Sequence, residues 1–127
     1  MGDERETSTR GRDRRHPDDG GGGIPKDDVY RALAVAPRRR LLAYLLEHET
    51  ERLDDLAAML VGWETTETGG VADDEAFRRM RIALAHSHIP MLADVGLVEY
   101  EQSTGTVTLT RDESTKALVR SSLEAIA

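Results

Sequence analysis

Four consecutive glycines at positions 20–23 separate a part of the chain that can bury a core from a part that cannot. Before the glycines, no residue after Met1 is aliphatic, and arginines are mixed with acidic residues. Such a segment cannot bury enough apolar surface to offset the entropy lost on ordering it. No strand pattern precedes the glycines and no Gly-Lys-Ser/Thr follows them, which favours a flexible linker over a phosphate-binding loop. We predict a disordered charged tail and glycine linker over residues 1–25, followed by one folded domain over residues 26–127.

The composition excludes several classes of function. The chain contains no Cys, so disulfides, a thiolate nucleophile and zinc-finger chemistry are ruled out. No apolar run reaches the roughly 18 residues needed to span a membrane, and the charged N-terminus lacks the apolar region of a signal peptide. We therefore predict a soluble, cytoplasmic protein without a membrane partner.

The charge balance argues against nucleic acid at first sight, because 24 acidic residues outnumber 17 basic ones and the net charge is -7. However, Lys26 and Lys116 are the only lysines, and acid excess with scarce Lys resembles the composition of halophilic proteins. At about 1 M salt the Debye length is only about 3 Å, so net charge then says little about DNA binding. The positions of individual charged side chains therefore have to decide for or against DNA binding.

Apolar residues recur at helical spacing in five segments of the predicted domain. The predicted helices span residues 27–35, 37–48, 53–61, 73–94 and 112–126. Gly62 is expected to stop the third helix, which leaves a polar loop, residues 64–72, before the fourth. Pro90 is expected to bend or tighten the end of the fourth helix. Its inward stripe is predicted to consist of Phe77, Met80, Leu84, His88 and Met91.

Residues 97–101 and 106–110 alternate in the manner of strands, and Gln102 to Gly105 can close a hairpin between them. The segment near residues 50–53 is a candidate for a short extra strand. The predicted fold class is mainly α with a small β-hairpin wing (α+β), in the order four helices, two strands and a fifth helix.

This order of elements resembles a winged helix-turn-helix domain. Ala36-Pro37-Arg38-Arg39-Arg40-Leu41-Leu42 looks like the opening of the second helix in ArsR-like repressors, and Leu92-Ala93-Asp94-Val95-Gly96-Leu97-Val98 looks like their passage into the wing. The stretch from Arg81 to Leu92, with its His-x-His-x-Pro, resembles a haloarchaeal winged-helix family of unknown function. The resemblance covers residues 27–109. It implies a DNA-binding transcriptional regulator that forms a homodimer through its terminal helices.

Two arginine clusters are the main candidates for contact with double-stranded DNA. The first consists of Arg38, Arg39 and Arg40, and the second of Arg78, Arg79 and Arg81. The first stands at a helix N-terminus, where the dipole disfavours positive charge, and this placement suggests a use. Arg79 lies on the outward face of the fourth helix and is the candidate for base contact, whereas Arg78 and Arg81 could equally form ion pairs. The wing tip can contribute hydroxyls and backbone N–H groups. The full set of DNA-binding candidates is Arg38, Arg39, Arg40, Arg78, Arg79, Arg81, His86, Ser103 and Thr104.

A rival hypothesis is a protein-interaction or dimerisation module on the same scaffold that does not bind DNA. The acidic residues Glu99 and Glu101 on the wing and the long predicted loop both favour it, since an ordinary helix-turn-helix has a tight turn. Trp63, in the predicted connection from Gly62 to Ala72, either packs over the core as a lid or serves as a partner-facing anchor. The partner-binding candidates are Trp63, Leu118, Val119, Leu123 and Ile126.

The remaining polar residues point to no catalysis, and we predict neither an enzyme nor a cofactor. His86 and His88 lie about 200° apart on a helix and cannot chelate one metal ion unless Pro90 unwinds the turn, so no metal site is predicted. His88 is expected to be a core histidine and His86 an outward contact. The acidic pairs Asp27-Asp28, Asp54-Asp55 and Asp73-Asp74 all open predicted helices, where capping and the dipole explain them.

Overall fold

The computed structural model describes residues 24–126, so the tail predicted to be disordered lies outside the described residues apart from Ile24 and Pro25. Within this range the chain is mainly helical with a small three-stranded antiparallel sheet, an α+β arrangement. The elements are α1 (Lys26–Ala32), α2 (Ala36–His48), β1 (Thr50–Arg52), α3 (Leu53–Thr68), α4 (Asp74–Ala83), a π-helical segment (Leu84–His88), α5 (Ile89–Asp94), β2 (Val98–Glu101), β3 (Thr106–Leu109) and α6 (Glu113–Ile126). None of these helices is both long and apolar enough to cross a lipid bilayer.

The apolar spacing of α2 predicts its buried face correctly. Leu41, Leu42 and Leu45 are fully buried, and Pro37 stands in the first turn, where its missing N–H costs nothing. They pack in one core with leucines of α3 and with the inward side of the sheet. The core also includes the end of the continuous helix formed by α4, the π segment and α5, called the α4–α5 helix below. Val29 and Leu33 of the α1 region are buried in this same core.

The third helix is longer than predicted, and Gly62 does not stop it. α3 continues to Thr68, and Gly69 ends it in the left-handed conformation with φ 76° and an N–H bond to the Thr65 carbonyl at 2.9 Å. A mid-helix glycine costs only about 1 kcal/mol, which packing of α3 against α4 outweighs. The loop predicted over residues 64–72 is therefore wrong for residues 64–68, which are helical, and correct for residues 69–72. Residues 69–73 alone connect α3 to α4, and Trp63 is helical.

The fourth predicted helix exists but changes its winding at Leu84. Asp73 caps it, accepting a bond from the Ala76 N–H at 2.9 Å. In the π segment the Ile89 N–H reaches back five residues to the Leu84 carbonyl. Pro90 has no N–H to bond the carbonyl four residues before it, which permits this wider turn.

The π segment adds one residue to the helix, and this shifts the buried stripe. After Met80 and Leu84 the buried residues are Ile89 and Leu92, where a regular helix would bury His88 and Met91. His88 and Met91 are only partly buried. The predicted inward stripe was thus correct before the π segment and wrong by one residue after it.

The sheet has the order β1-β3-β2, with both pairs antiparallel. The candidate extra strand near residues 50–53 is confirmed as β1, and the predicted hairpin is confirmed as β2 and β3. Val98, Val107 and Leu109 face the core, while Glu99 and Glu101 are exposed. Asp112 caps α6 by accepting a bond from the Thr115 N–H at 2.9 Å.

Candidate nucleic-acid interface

The side chains of the first arginine cluster bond to other groups of the same chain. Arg38 donates from Nε to the Ala32 carbonyl at 2.8 Å, and Arg39 donates from Nη1 to the Leu33 carbonyl at 2.9 Å. These carbonyls belong to the end of α1, where helix carbonyls lack intrahelical partners and the dipole attracts positive charge. Arg38 and Arg39 therefore lie at the N-terminus of α2, where its dipole disfavours them, because they cap the C-terminus of α1. This is a structural role.

The third member of the cluster, Arg40, joins α2 to α3. Its guanidinium lies 5.2 Å from the centre of the Trp63 ring and forms an ion pair with Glu67. Trp63 itself is 50% exposed. The indole therefore covers a cation on the side of the helical layer and is not a lid over the apolar core.

In the second cluster, one arginine is bonded within the chain and the other two are available to an external partner. Arg81 bonds through Nε to Asp54 at the beginning of α3, and this partner raises the pKa of Arg81. Arg79 makes only a 3.5 Å pair with Glu75 one turn earlier, and both side chains are more than 60% exposed. Arg78 is exposed and forms no ion pair with another described residue. Exposed pairs of the Arg79 kind contribute about 0–1 kcal/mol, so both arginines can take an external partner.

The exposed side chains that follow the α3–α4 turn form a surface that we call the α4 outer face. It consists of Arg78, Arg79, Ile82 and His86. Sequence reasoning missed Ile82, which is 51% exposed although it stands in an amphipathic helix. The acidic residues Asp73, Asp74 and Glu75 lie at the beginning of this helix.

The β2–β3 hairpin offers little positive charge. Ser103 donates to a Glu101 carboxylate oxygen at 2.8 Å, and Thr104 donates to the Thr106 hydroxyl at 2.8 Å, so both predicted hydroxyls have partners within the hairpin. Sequence reasoning also missed Arg52, which β1 places opposite Thr106 on the sheet. Its only signal in the sequence was its place in the segment recognised as a candidate strand.

The terminal helices supply a second exposed surface, and α1 contacts α6. Val119 is fully buried in the core of its own chain, so it is not available to a partner. Leu118 and Leu123 are partly buried, whereas Ile126 is half exposed. Tyr30 on α1 is 53% exposed and had not been identified from the sequence.

The two neighbouring histidines have different surroundings. His86 is exposed, and His88 is partly buried with its Nδ1 3.5 Å from Nη1 of Arg38. The predicted backbone-bonded core histidine is thus replaced by one at the edge of the core beside a cation. Burial and then this positive charge lower the pKa of His88. Among residues 24–126, no three His, Asp or Glu side chains come together as a metal site.

The fold and these surfaces define a small α+β domain built around a helix, a short turn and a second, outward-facing helix. The chain belongs to the family described as a domain of unknown function (DUF7344), whose model matches residues 30–108. No curated protein and no solved structure matches the chain.

Proposed function

We propose that the chain is a winged helix-turn-helix domain that binds double-stranded DNA and regulates transcription. In this assignment α2, β1, α3, the α4–α5 helix and the β2–β3 hairpin follow one another in the order of a winged helix. The observation that carries the proposal is the turn at residues 69–73, after which α4 presents Arg78 and Arg79 to solvent. This connection of five residues is only slightly longer than the turn of about 3–4 residues in a helix-turn-helix. The length of the connection therefore no longer counts against DNA binding, as the longer loop predicted from the sequence did.

The α4 outer face is the part proposed to enter the major groove. Arg79, and beside it Arg78, would make the bidentate contacts that arginine forms with guanine or phosphate. His86 would contribute a further contact one to two turns later. Arg38, Arg39, Arg40 and Arg81, which were candidates from the sequence, act in this proposal by holding helices in place.

The acidic surroundings of the α4 outer face set the kind of binding that is proposed. Nonspecific DNA affinity arises almost wholly from phosphate attraction, and Glu99, Glu101 and the acidic start of α4 oppose it. The domain would therefore bind weakly to arbitrary DNA and depend on base contacts at a preferred site.

Homodimerisation is proposed through the surface formed by α1 and α6. Tyr30, Leu118, Leu123 and Ile126 place exposed or partly exposed apolar groups there. Winged-helix regulators read two half-sites when a two-fold axis relates their reading helices. A dimer would thus double the small number of base contacts available to one chain.

Selection of bound sequences from random duplex DNA, with the full chain at both 0.2 and 2 M KCl, tests the proposal. We expect one enriched motif, to which Arg79→Ala binds more weakly by about 1–3 kcal/mol. Arg39→Ala is the matched control, because Arg39 is bonded to the Leu33 carbonyl at the end of α1 and has no DNA contact in this proposal. No enrichment at either salt concentration, or an equal loss with both variants, would contradict DNA reading.

The protein-interaction module is the second candidate, and one observation favours it. Trp63 is half exposed near the end of α3, and Val71 in the following turn is 74% exposed. Large apolar groups left exposed in this way are common at protein interfaces. If the selection enriches no sequence, the surface of Trp63 and Val71 becomes the candidate site for a protein partner.

A further inference from the structure

Arg38 connects three elements through one guanidinium group. It stands at the start of α2 and donates to the carbonyls of Ala32 and Arg31 at the end of α1, at 2.8 and 3.2 Å. Its remaining nitrogen, Nη1, lies 3.5 Å from Nδ1 of His88. The end of α1, the beginning of α2 and the π segment therefore meet at this side chain.

His88 can complete this arrangement only as a neutral imidazole. A guanidinium has donors and no acceptor, so Nδ1 has to carry a lone pair toward Arg38, with the proton on Nε2. A second proton would place an N–H donor and a positive charge against the guanidinium. The lowered pKa of His88, caused by burial first and Arg38 second, agrees with this geometry. Among the described residues, Arg38 is the charged side chain that lies within hydrogen-bond distance of His88.

The π segment is the feature that brings His88 to Arg38. Its extra residue moves Ile89 into the core and leaves His88 at the edge, where the imidazole faces the start of α2. π segments within α-helices are frequent at functional sites, because they move one side chain out of register. Here the segment lies within the helix that carries the α4 outer face.

We propose that Arg38 and His88 form a proton-sensitive joint that holds the α4–α5 helix toward α1 while His88 is neutral and loosens this contact when His88 is protonated. Arg38 acts as a positioning residue, since it stays bonded to α1 in both states. The proposal does not require DNA. If the α4 outer face reads DNA, the joint determines how that face is aimed relative to the rest of the domain.

NMR titration of the imidazoles in the full chain without DNA tests the joint. We expect the pKa of His88 to lie below 6.5 and to return toward 6.5 in Arg38→Gln. Arg39→Gln is the matched control, because Arg39 caps the same end of α1 and makes no contact with His88. A pKa of His88 at or above 6.5 in the unmodified chain would overturn the proposal, as would an equal rise in both variants.

A second measurement asks whether the titration of His88 reaches the end of α1, and it does not depend on Arg38→Gln folding. In the unmodified chain the backbone amide signals of Ala32 to Ala34 should move with the titration of His88. In His88→Gln, which keeps an acceptor but cannot gain a proton in this range, these signals should no longer move. Signals at the end of α1 that ignore the titration of His88, or that follow it equally in His88→Gln, would show that no coupling exists. Neither outcome depends on whether the chain binds DNA.

Discussion

At the scale of single residues, the arginines show what a sequence can and cannot reveal about a site. Their number and clustering are visible in the sequence, and the outward position of Arg79 follows from helical spacing. Their partners are not visible, because the Ala32 carbonyl, Asp54 and Glu67 come into reach only once the helices have packed. Four of the six clustered arginines are committed in this way.

The contact of Arg40 with Trp63 is open to a direct test, since this is the only Trp of the chain. Arg40→Gln removes a cation–π contact and an ion pair, so we expect a loss of about 1 kcal/mol in the free energy of unfolding. Trp63 should also become more accessible to acrylamide quenching of its fluorescence. Arg78→Gln, which lacks both contacts, should leave stability and quenching unchanged. An unaltered Trp63 signal in Arg40→Gln would mean that the two side chains do not stack in solution.

At the scale of elements, the sequence predicts each helix and strand, but it extends the first helix three residues beyond Ala32, ends α3 too early and misses the π segment. Apolar spacing locates α2 and the hairpin because their buried faces repeat without interruption. It does not locate the end of α3, because Val61 is the last buried residue of this helix and the turns that follow carry no apolar stripe to mark their extent. It also does not reveal the π segment, because apolar residues stand in both registers after Leu84: Met91 in a regular helix, and Ile89 with Leu92 in the shifted one.

The end of α3 gives a pair of opposite predictions from two glycines. Gly62 lies inside the helix with no heavy atom within 4 Å of an added Cβ, so Gly62→Ala should stabilise the fold by about 0.5–1 kcal/mol. Gly69 has equal space but φ +76°, so Gly69→Ala should destabilise it by about 1 kcal/mol. Urea denaturation followed by circular dichroism measures both. Destabilisation by Gly62→Ala together with tolerance of Gly69→Ala would instead place the end of the helix at Gly62.

At the scale of the whole molecule, the family match and the charge distribution bear on different parts of the proposal. The matched range, residues 30–108, contains the helix pair and the hairpin but ends before α6. A reading surface on α4 would therefore belong to the family domain, while the proposed dimer surface depends on segments that lie largely outside it. The two proposals can fail independently.

Charge over the whole domain leads to a prediction about salt. Each phosphate contact contributes about 0.9 to the slope of log affinity against log salt concentration, so committed arginines should add nothing to it. Replacing both Arg78 and Arg79 by Ala should reduce the slope by about 2 per chain, whereas Arg39→Ala should leave it unchanged because Arg39 is bonded to the end of α1. Titrations of a selected DNA site at several KCl concentrations measure these slopes. If Arg39→Ala flattens the slope as much as the double variant does, the first cluster faces phosphate in the complex, and its bonds to α1 must break when DNA binds.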